Sequence, residues 1–153
     1  MRILFLLTQD LESPSGLGRY WPMARELAQR GHDVQVSALH SNYPQLSPRR
    51  FIRDGVVVDY VAPMHVRKQG SQKTYYSAPA LLAVSARATL ALAWRAVMAR
   101  ADVIHIGKPH PMNSLAGLAG RLLRGRRIFL DCDDYEAGVG HFSAGWQRET
   151  VAW

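Results

Sequence analysis

The first forty residues restrict this chain most. Arg2 to Thr8 is almost continuously apolar, the pattern of a parallel strand covered on both faces; a half-exposed strand would alternate. A polar stretch, Gln9 to Ser15, leads to Gly16-Leu17-Gly18, after which Leu17, Tyr20, Ala24, Leu27 and Ala28 share one helical face up to about Arg30. Gly31 suits a helix end, and Asp33 to Leu39 is a second apolar strand. Strand, helix, strand in that order requires a right-handed crossover between two parallel strands.

The remainder repeats the theme. Asp54-Gly55 is a tight-turn signal between the short segment Phe51-Ile52 and a strand from Val56 to Val61. Pro63 to Tyr76 carries Gly70, Ser71 and the cations Arg67, Lys68 and Lys73, and reads as a mobile loop. A helix from Ser77 to Arg100 crosses over to a strand from Asp102 to Ile106. After the break at Gly107 to Pro111 comes a helix capped by Asn113 or Ser114. Its Leu115, Leu118, Ala119, Leu122 and Leu123 form the strongest helical stripe in the chain and are expected to face the sheet. Gly125 ends it, and Arg127 to Asp131 is the fifth strand.

This alternation predicts an α/β fold, a Rossmann-like three-layer sandwich with a mainly parallel sheet in the order 3-2-1-4-5. Residues 1–153 then form one domain. The crevice of such a sheet opens where the order reverses, outside the carboxyl ends of strands one and four. Gly16 to Gly18 and Lys108 to Ser114 should therefore face each other. Ala144 to Trp153 reads as a helix in progress, which suggests a piece of a longer chain.

Composition narrows the classes. At 153 residues, 48% apolar and 20% charged, the chain can bury a core and is not of the disordered type. Lys and Arg number 19 against 12 Asp and Glu, a formal charge of +7 that favours anionic partners. The basic clusters are scattered, and no recognition helix or stacking-aromatic motif accompanies them, so no nucleic acid is expected. Cys132 is the only cysteine, so no internal disulfide can form. It reads as a small apolar filler, and a cytoplasmic location is the default. The apolar start is too short for a signal peptide. Ala78 to Met98 contains Arg87 and Arg95, which argues for a helix packed on a sheet over one that crosses a membrane.

Gly16 and Gly18 at a helix start offer backbone N–H groups and the positive end of a helix dipole to a phosphate; glycines that merely ease a turn are the plain alternative. A dinucleotide fingerprint fails, because its third glycine position is Trp21 and strand two ends at Leu39-His40 without an acid for a ribose. No resident cofactor is expected. Lys108 and His110, between prolines on the crevice loop, could meet a phosphate or an acceptor hydroxyl, or His110 could be a bystander. His105, inside a strand, reads as a satisfied buried histidine. Asp131-Cys132-Asp133-Asp134 contains a literal D-x-D of the kind that holds a divalent ion against a diphosphate. Its alternative is a strand-end turn whose carboxylates are solvated or paired with Arg126 or Arg127, and no metal is assigned.

Ser15-Gly16-Leu17-Gly18-Arg19-Tyr20, running into Leu27-Ala28-Gln29-Arg30-Gly31-His32-Asp33-Val34, resembles the opening of glycosyltransferase family 4, the group 1 enzymes of the GT-B fold. Asp102-Val103-Ile104-His105 is similar to that family's fourth strand, and Leu115-Ala116-Gly117 to the helix after it. The resemblance implies the N-terminal, acceptor-side domain of a retaining sugar transferase. The C-terminal domain, with its nucleotide pocket and paired glutamates, would be absent. It places Gly16 and Gly18 beside the donor phosphates or the transferred sugar. Asp133 would stand where family members commonly have a catalytic histidine. Lys108, His110, Asn113, Asp131 and Asp134 would line the acceptor side of the cleft. The implied partners are a nucleotide-sugar co-substrate and an unknown acceptor. The basic-aromatic loop of Arg67, Lys68, Lys73, Tyr75 and Tyr76 leaves room for peripheral contact with an anionic membrane at its inner face, or is a solvated variable loop. A stand-alone α/β module that binds a phosphorylated ligand or a protein is the competing reading.

Overall fold

The computed structural model describes residues 1–69 and 72–132. In chain order the elements are β1 (Arg2–Leu7), α1 (Trp21–Gln29), β2 (Asp33–His40), β3 (Arg50–Arg53), β4 (Val56–Pro63), β5 (Val66–Gln69), β6 (Gln72–Tyr75), α2 (Ala78–Met98), β7 (Val103–Gly107), α3 (Pro111–Arg124) and β8 (Arg127–Asp131). The apolar run of β1 becomes the centre of the sheet, and every residue after Arg2 in it is buried. It pairs in parallel with β2 on one side and β7 on the other. The six-stranded sheet has the order β3-β4-β2-β1-β7-β8.

Five of these strands are parallel and follow the expected order. The sixth, β3, is antiparallel to β4 and adds an edge that the expectation had left as a short segment. The turn between them is tight because Asp54 and Gly55 both take positive φ, 47° and 79°, the backbone a two-residue hairpin needs. Pro63 to Tyr76 is not simply a loop: β5 and β6 pair as a separate antiparallel hairpin.

The sheet carries a core on each face. On one, α1 and the turn before it cover Phe5, Val34, Val36 and Val58 through Tyr20, Trp21 and Ala24. On the other, α2 and α3 cover Leu4, Leu6, Ile104 and Ile106 through Ala88, Leu92, Ala96 and Ala116. Each fully buried Leu or Ile contributes about 1.5–3 kcal/mol relative to exposure. Arg95 of α2 also pairs with Asp59 of β4, which fastens the helix across the sheet.

Two helical expectations need correction. The first turn of the helix expected from the glycines to about Arg30 is not α-helical: Gly16 to Tyr20 form a π-helical turn that leads into α1. The wider turn rotates Leu17 out of the apolar face, so it is 53% exposed while Tyr20 is fully buried. In α3 the leucine stripe points the wrong way. Leu115, Leu118, Leu122 and Leu123 are exposed, and the buried face is Met112, Asn113, Ala116, Gly117 and Gly120. The reason is close approach: a Cβ on Gly117 would lie 2.3 Å from Ile106 Cδ1, and one on Gly120 would lie 2.5 Å from Ile104 Cδ1. Small residues let the helix settle onto the sheet, and the leucines are left outside.

Candidate functional site

The carboxyl ends of β1 and β7 meet where the strand order reverses. Gly107 ends β7 against the helical turn of Gly16 to Tyr20: a Cβ there would lie 2.5 Å from Leu7 Cδ2 and 2.8 Å from the Tyr20 ring. The glycine turn and the segment after β7 are therefore neighbours on one edge of the sheet. Gly16 is packed as closely, since a Cβ would come within 2.1 Å of the Asp10 carbonyl oxygen. Its N–H donates to Ser13 Oγ at 3.1 Å, and the Leu17 N–H donates to the Ser13 carbonyl at 2.8 Å. These two amides are thus occupied, contrary to the expectation of open phosphate donors. Gly18 differs: it is exposed, with nothing within 4 Å of where a Cβ would stand.

Asn113 was expected to cap α3 and line the cleft. The helix instead begins at Pro111, whose fixed φ suits a first turn. Asn113 is therefore drawn inside, fully buried. Its Nδ2 donates to Gly107 O at 2.7 Å and Leu6 O at 3.3 Å. One amide thus ties the ends of both strands that flank the reversal.

Lys108 follows with φ 69°, a left-handed backbone that costs a non-glycine residue roughly 1 kcal/mol or more. His110 takes the N-cap position of α3, with its ring 6.0 Å from that of His65. Burial lowers the pKa of His65, and the neighbouring His110 and Lys73 lower it further. Asp131 is paired with Arg19 of the glycine turn, through Arg19 Nε at 3.0 Å and a second contact from Nη2. This is neither of the arginines expected for it. The pair spans the reversal and fixes the turn to the end of β8. His105 lies between Phe5 and Tyr20, and its Nδ1 lacks a hydrogen-bond partner, so it is not the satisfied histidine expected. Cys132 is exposed, not a packed filler. Asp133 and Asp134 lie outside the described residues. Among the described residues no three His, Cys, Asp or Glu side chains gather as metal ligands.

The polar cluster that sequence reasoning missed sits at the ends of β1, β2 and β4. Asp10 is 1% exposed. Its Oδ2 accepts from Ser41 Oγ at 3.2 Å and from Lys68 Nζ at 3.4 Å, while Oδ1 has no partner. Beside it, Tyr60 Oη accepts from the Leu11 N–H at 3.3 Å, and burial pushes the Tyr60 pKa up to about 12. His40 packs edge-on against Tyr60 and faces Glu12, with Nε2 and Oε2 3.4 Å apart. Next to this cluster opens a groove of about 750 Å³ whose walls include Ser41, Asn42, Arg67, Lys68, Thr74 and Tyr76. Arg67 lies over the Tyr76 ring at 4.6 Å. Such a wall of hydroxyl, amide, cationic and aromatic groups can hold a polyhydroxylated or anionic molecule. Only the position of Asp10, just after an apolar strand, hinted at this in the sequence.

No protein-family model matches the chain, and no curated protein matches it either. Solved structures do. The chain is similar to sucrose-phosphate synthase from Thermosynechococcus elongatus, with TM-score 0.60 and 13% identity over 99% of this chain and 39% of that one. It is also similar to the C-terminal domain of a hydrogenase from Pyrococcus furiosus, with TM-score 0.57 and 16% identity over 86% of this chain and 90% of that domain. At these identities the likeness is one of fold: a Rossmann-like α/β sandwich, shared across its length with part of a glycosyltransferase.

Proposed function

We propose that the chain is the acceptor-side half of a GT-B sugar transferase, of the group 1 type that its motifs resemble. The observation that carries this is the groove of about 750 Å³, which lies at the carboxyl ends of the parallel strands, as do the Gly16–Gly18 turn and the Lys108 segment. Ser41, Asn42 and Thr74 would meet acceptor hydroxyls. Exposed Gly18 would let a donor approach, and Lys108 and His110 would flank the reacting groups. Asp133 keeps the catalytic role the resemblance implies, and the reaction would retain anomeric configuration. No resident cofactor or metal is assigned; the nucleotide-sugar is a co-substrate held mainly by a second domain. A fold shared with both a synthase and a hydrogenase does not decide function, so the site carries the reading.

The test is titration of the chain with uridine- and guanosine-diphosphate sugars, followed by amide NMR. Millimolar binding that shifts Gly18, Lys108 and His110, without turnover, supports it. Micromolar donor affinity, or shifts confined elsewhere, refutes it. The competing reading is a stand-alone α/β module that binds a phosphorylated ligand or a protein, and the cations Arg67 and Lys68 in the groove wall favour it. That reading expects tight binding of a phosphorylated ligand with no preference for a sugar.

A further inference from the structure

The groove at the end of β2 is one-sided in charge. Arg67 and Lys68 of β5 bring two cations to its wall, and among the described residues no Asp or Glu lines it. The two cations are held differently. Lys68 Nζ donates to Asp10 Oδ2 at 3.4 Å, and the same oxygen accepts from Ser41 Oγ at 3.2 Å. Asp10 is buried and does not itself line the groove, so it fixes one cation and one hydroxyl of the wall from behind. Burying a carboxylate with Oδ1 unpartnered adds little to stability; its effect here is to hold Lys68 and Ser41 in place. An ammonium has three donors, and the bond to Asp10 uses one. Arg67 has no carboxylate partner among the described residues. Its guanidinium lies over the Tyr76 ring at 4.6 Å, which occupies one face and leaves the N–H edge for a ligand.

We propose that the groove takes a hydroxylated molecule by an oxyanion, a phosphate or a carboxylate. Arg67 supplies the planar fork that matches two oxygens of such a group, and Lys68 supplies a further charged donor. Ser41, Asn42 and Thr74, which share the wall, meet the hydroxyls. Asp10 is the positioning residue: it offsets the charge of Lys68, so Arg67 remains as the uncompensated charge that an anion matches. A neutral polyol would leave Arg67 unmatched, and a bare anion would leave the hydroxyl and amide groups of the wall unused. Thr74 stands opposite Arg67 in the hairpin register, which puts a hydroxyl partner beside the fork. This deepens the acceptor-side reading and rests on it in one respect: the molecule held in this way would be the acceptor, and it would be an acidic or phosphorylated sugar or polyol.

The test is amide NMR titration of the chain, with no sugar nucleotide present, by glucose, glucose 6-phosphate, glucuronate and inorganic phosphate. At least one of the two charged sugars should bind about tenfold more tightly than glucose and than inorganic phosphate, with shifts at Ser41, Lys68 and Thr74. Whichever gains tells phosphate from carboxylate. Arg67→Gln should abolish the gain, and Arg67→Lys, which keeps the charge but not the fork, should lose about threefold. Both variants should melt like the parent, since Arg67 is exposed. Equal affinity for glucose and both charged sugars overturns the oxyanion site and leaves the acceptor-side reading standing. Inorganic phosphate bound as tightly as glucose 6-phosphate overturns it in favour of the stand-alone module. A gain that survives Arg67→Gln, or that only Lys108→Gln removes, overturns it too, as does binding of none of the four. The acceptor-side reading itself fails separately, in the donor titration.

Discussion

The two glycines of the Gly16-Leu17-Gly18 turn should respond in opposite directions to the same substitution. Gly16→Ala places a methyl 2.1 Å from the Asp10 carbonyl oxygen and 2.8 Å from Leu11 Cα. Both are backbone atoms, so no rotamer change relieves the overlap; the turn itself must move by an ångström or more. That movement pulls on the hydrogen bonds to Ser13 at 3.1 and 2.8 Å. Overpacking of this sort costs about 1–3 kcal/mol. Gly18→Ala meets nothing within 4 Å and sits in the same helical turn. Both variants gain about 0.4–1 kcal/mol from a stiffer unfolded chain. This term cancels when the two are compared, and their difference isolates the overlap. Urea denaturation at equal slope should therefore find Gly18→Ala as stable as the parent or more so, and Gly16→Ala less stable than Gly18→Ala by about 1–3 kcal/mol. Equal midpoints would refute the packing role of Gly16, and a lower midpoint for Gly18→Ala would refute the open space described beside it.

Asp131→Asn weakens the Arg19 contact across the strand reversal; a loss of about 1 kcal/mol is expected for this partly exposed pair, with faster amide exchange in Gly16 to Tyr20 as the check. His65 and His105 have pKa values lowered from 6.5, first by burial. Below that value the unfolded chain binds more protons than the folded one, so stability is full above it and lost as pH falls. Melting temperature should drop between about pH 7 and 5, and the slope should flatten in a His65→Gln, His105→Gln variant; parallel slopes would refute this. Tyr60, raised by burial to about 12, has the opposite sign: its contribution is complete below the ordinary tyrosine value near 10 and declines as pH rises toward 12. Spectrophotometric titration should show a late phenol that Tyr60→Phe removes. In α3, Leu122→Ser should change stability by no more than about 0.5 kcal/mol. Gly117→Val, driven into Ile106, should cost about 1–3 kcal/mol, and thermal melts giving the reverse ranking would contradict the described orientation.

The strand and helix order was legible because continuous apolar runs and helical periodicity are properties of neighbouring residues. The Asp54-Gly55 turn was legible for the same reason. The orientation of α3 was not. A leucine stripe reveals an apolar face, but whether it meets the sheet depends on Ile104 and Ile106, which admit only Ala116, Gly117 and Gly120 at close range. The β5–β6 hairpin was unreadable because every described residue of β6 is exposed, so no alternation marks it. The cluster around Asp10 was hinted at only by that residue's place after β1, because its partners, Ser41 and Lys68, stand 31 and 58 residues away.

The reversal of strand order marks the place for a site, but three of the residues expected to serve one act on the scaffold instead. Gly16 fills against Asp10, Asn113 ties β1 to β7, and Asp131 anchors the glycine turn through Arg19. Groups engaged with protein in this way are poor ligand contacts, because a ligand would have to replace hydrogen bonds already made. They are good support, since a rigid edge keeps neighbouring groups in place. Under the proposed function, contact with a ligand would fall to what surrounds them: exposed Gly18, left-handed Lys108, and the groove walls carried by Ser41 and the β5–β6 hairpin. It follows that Asn113→Ala should damage folding and any binding together, whereas Thr74→Ala, on an exposed strand, should alter binding in the groove and leave stability unchanged.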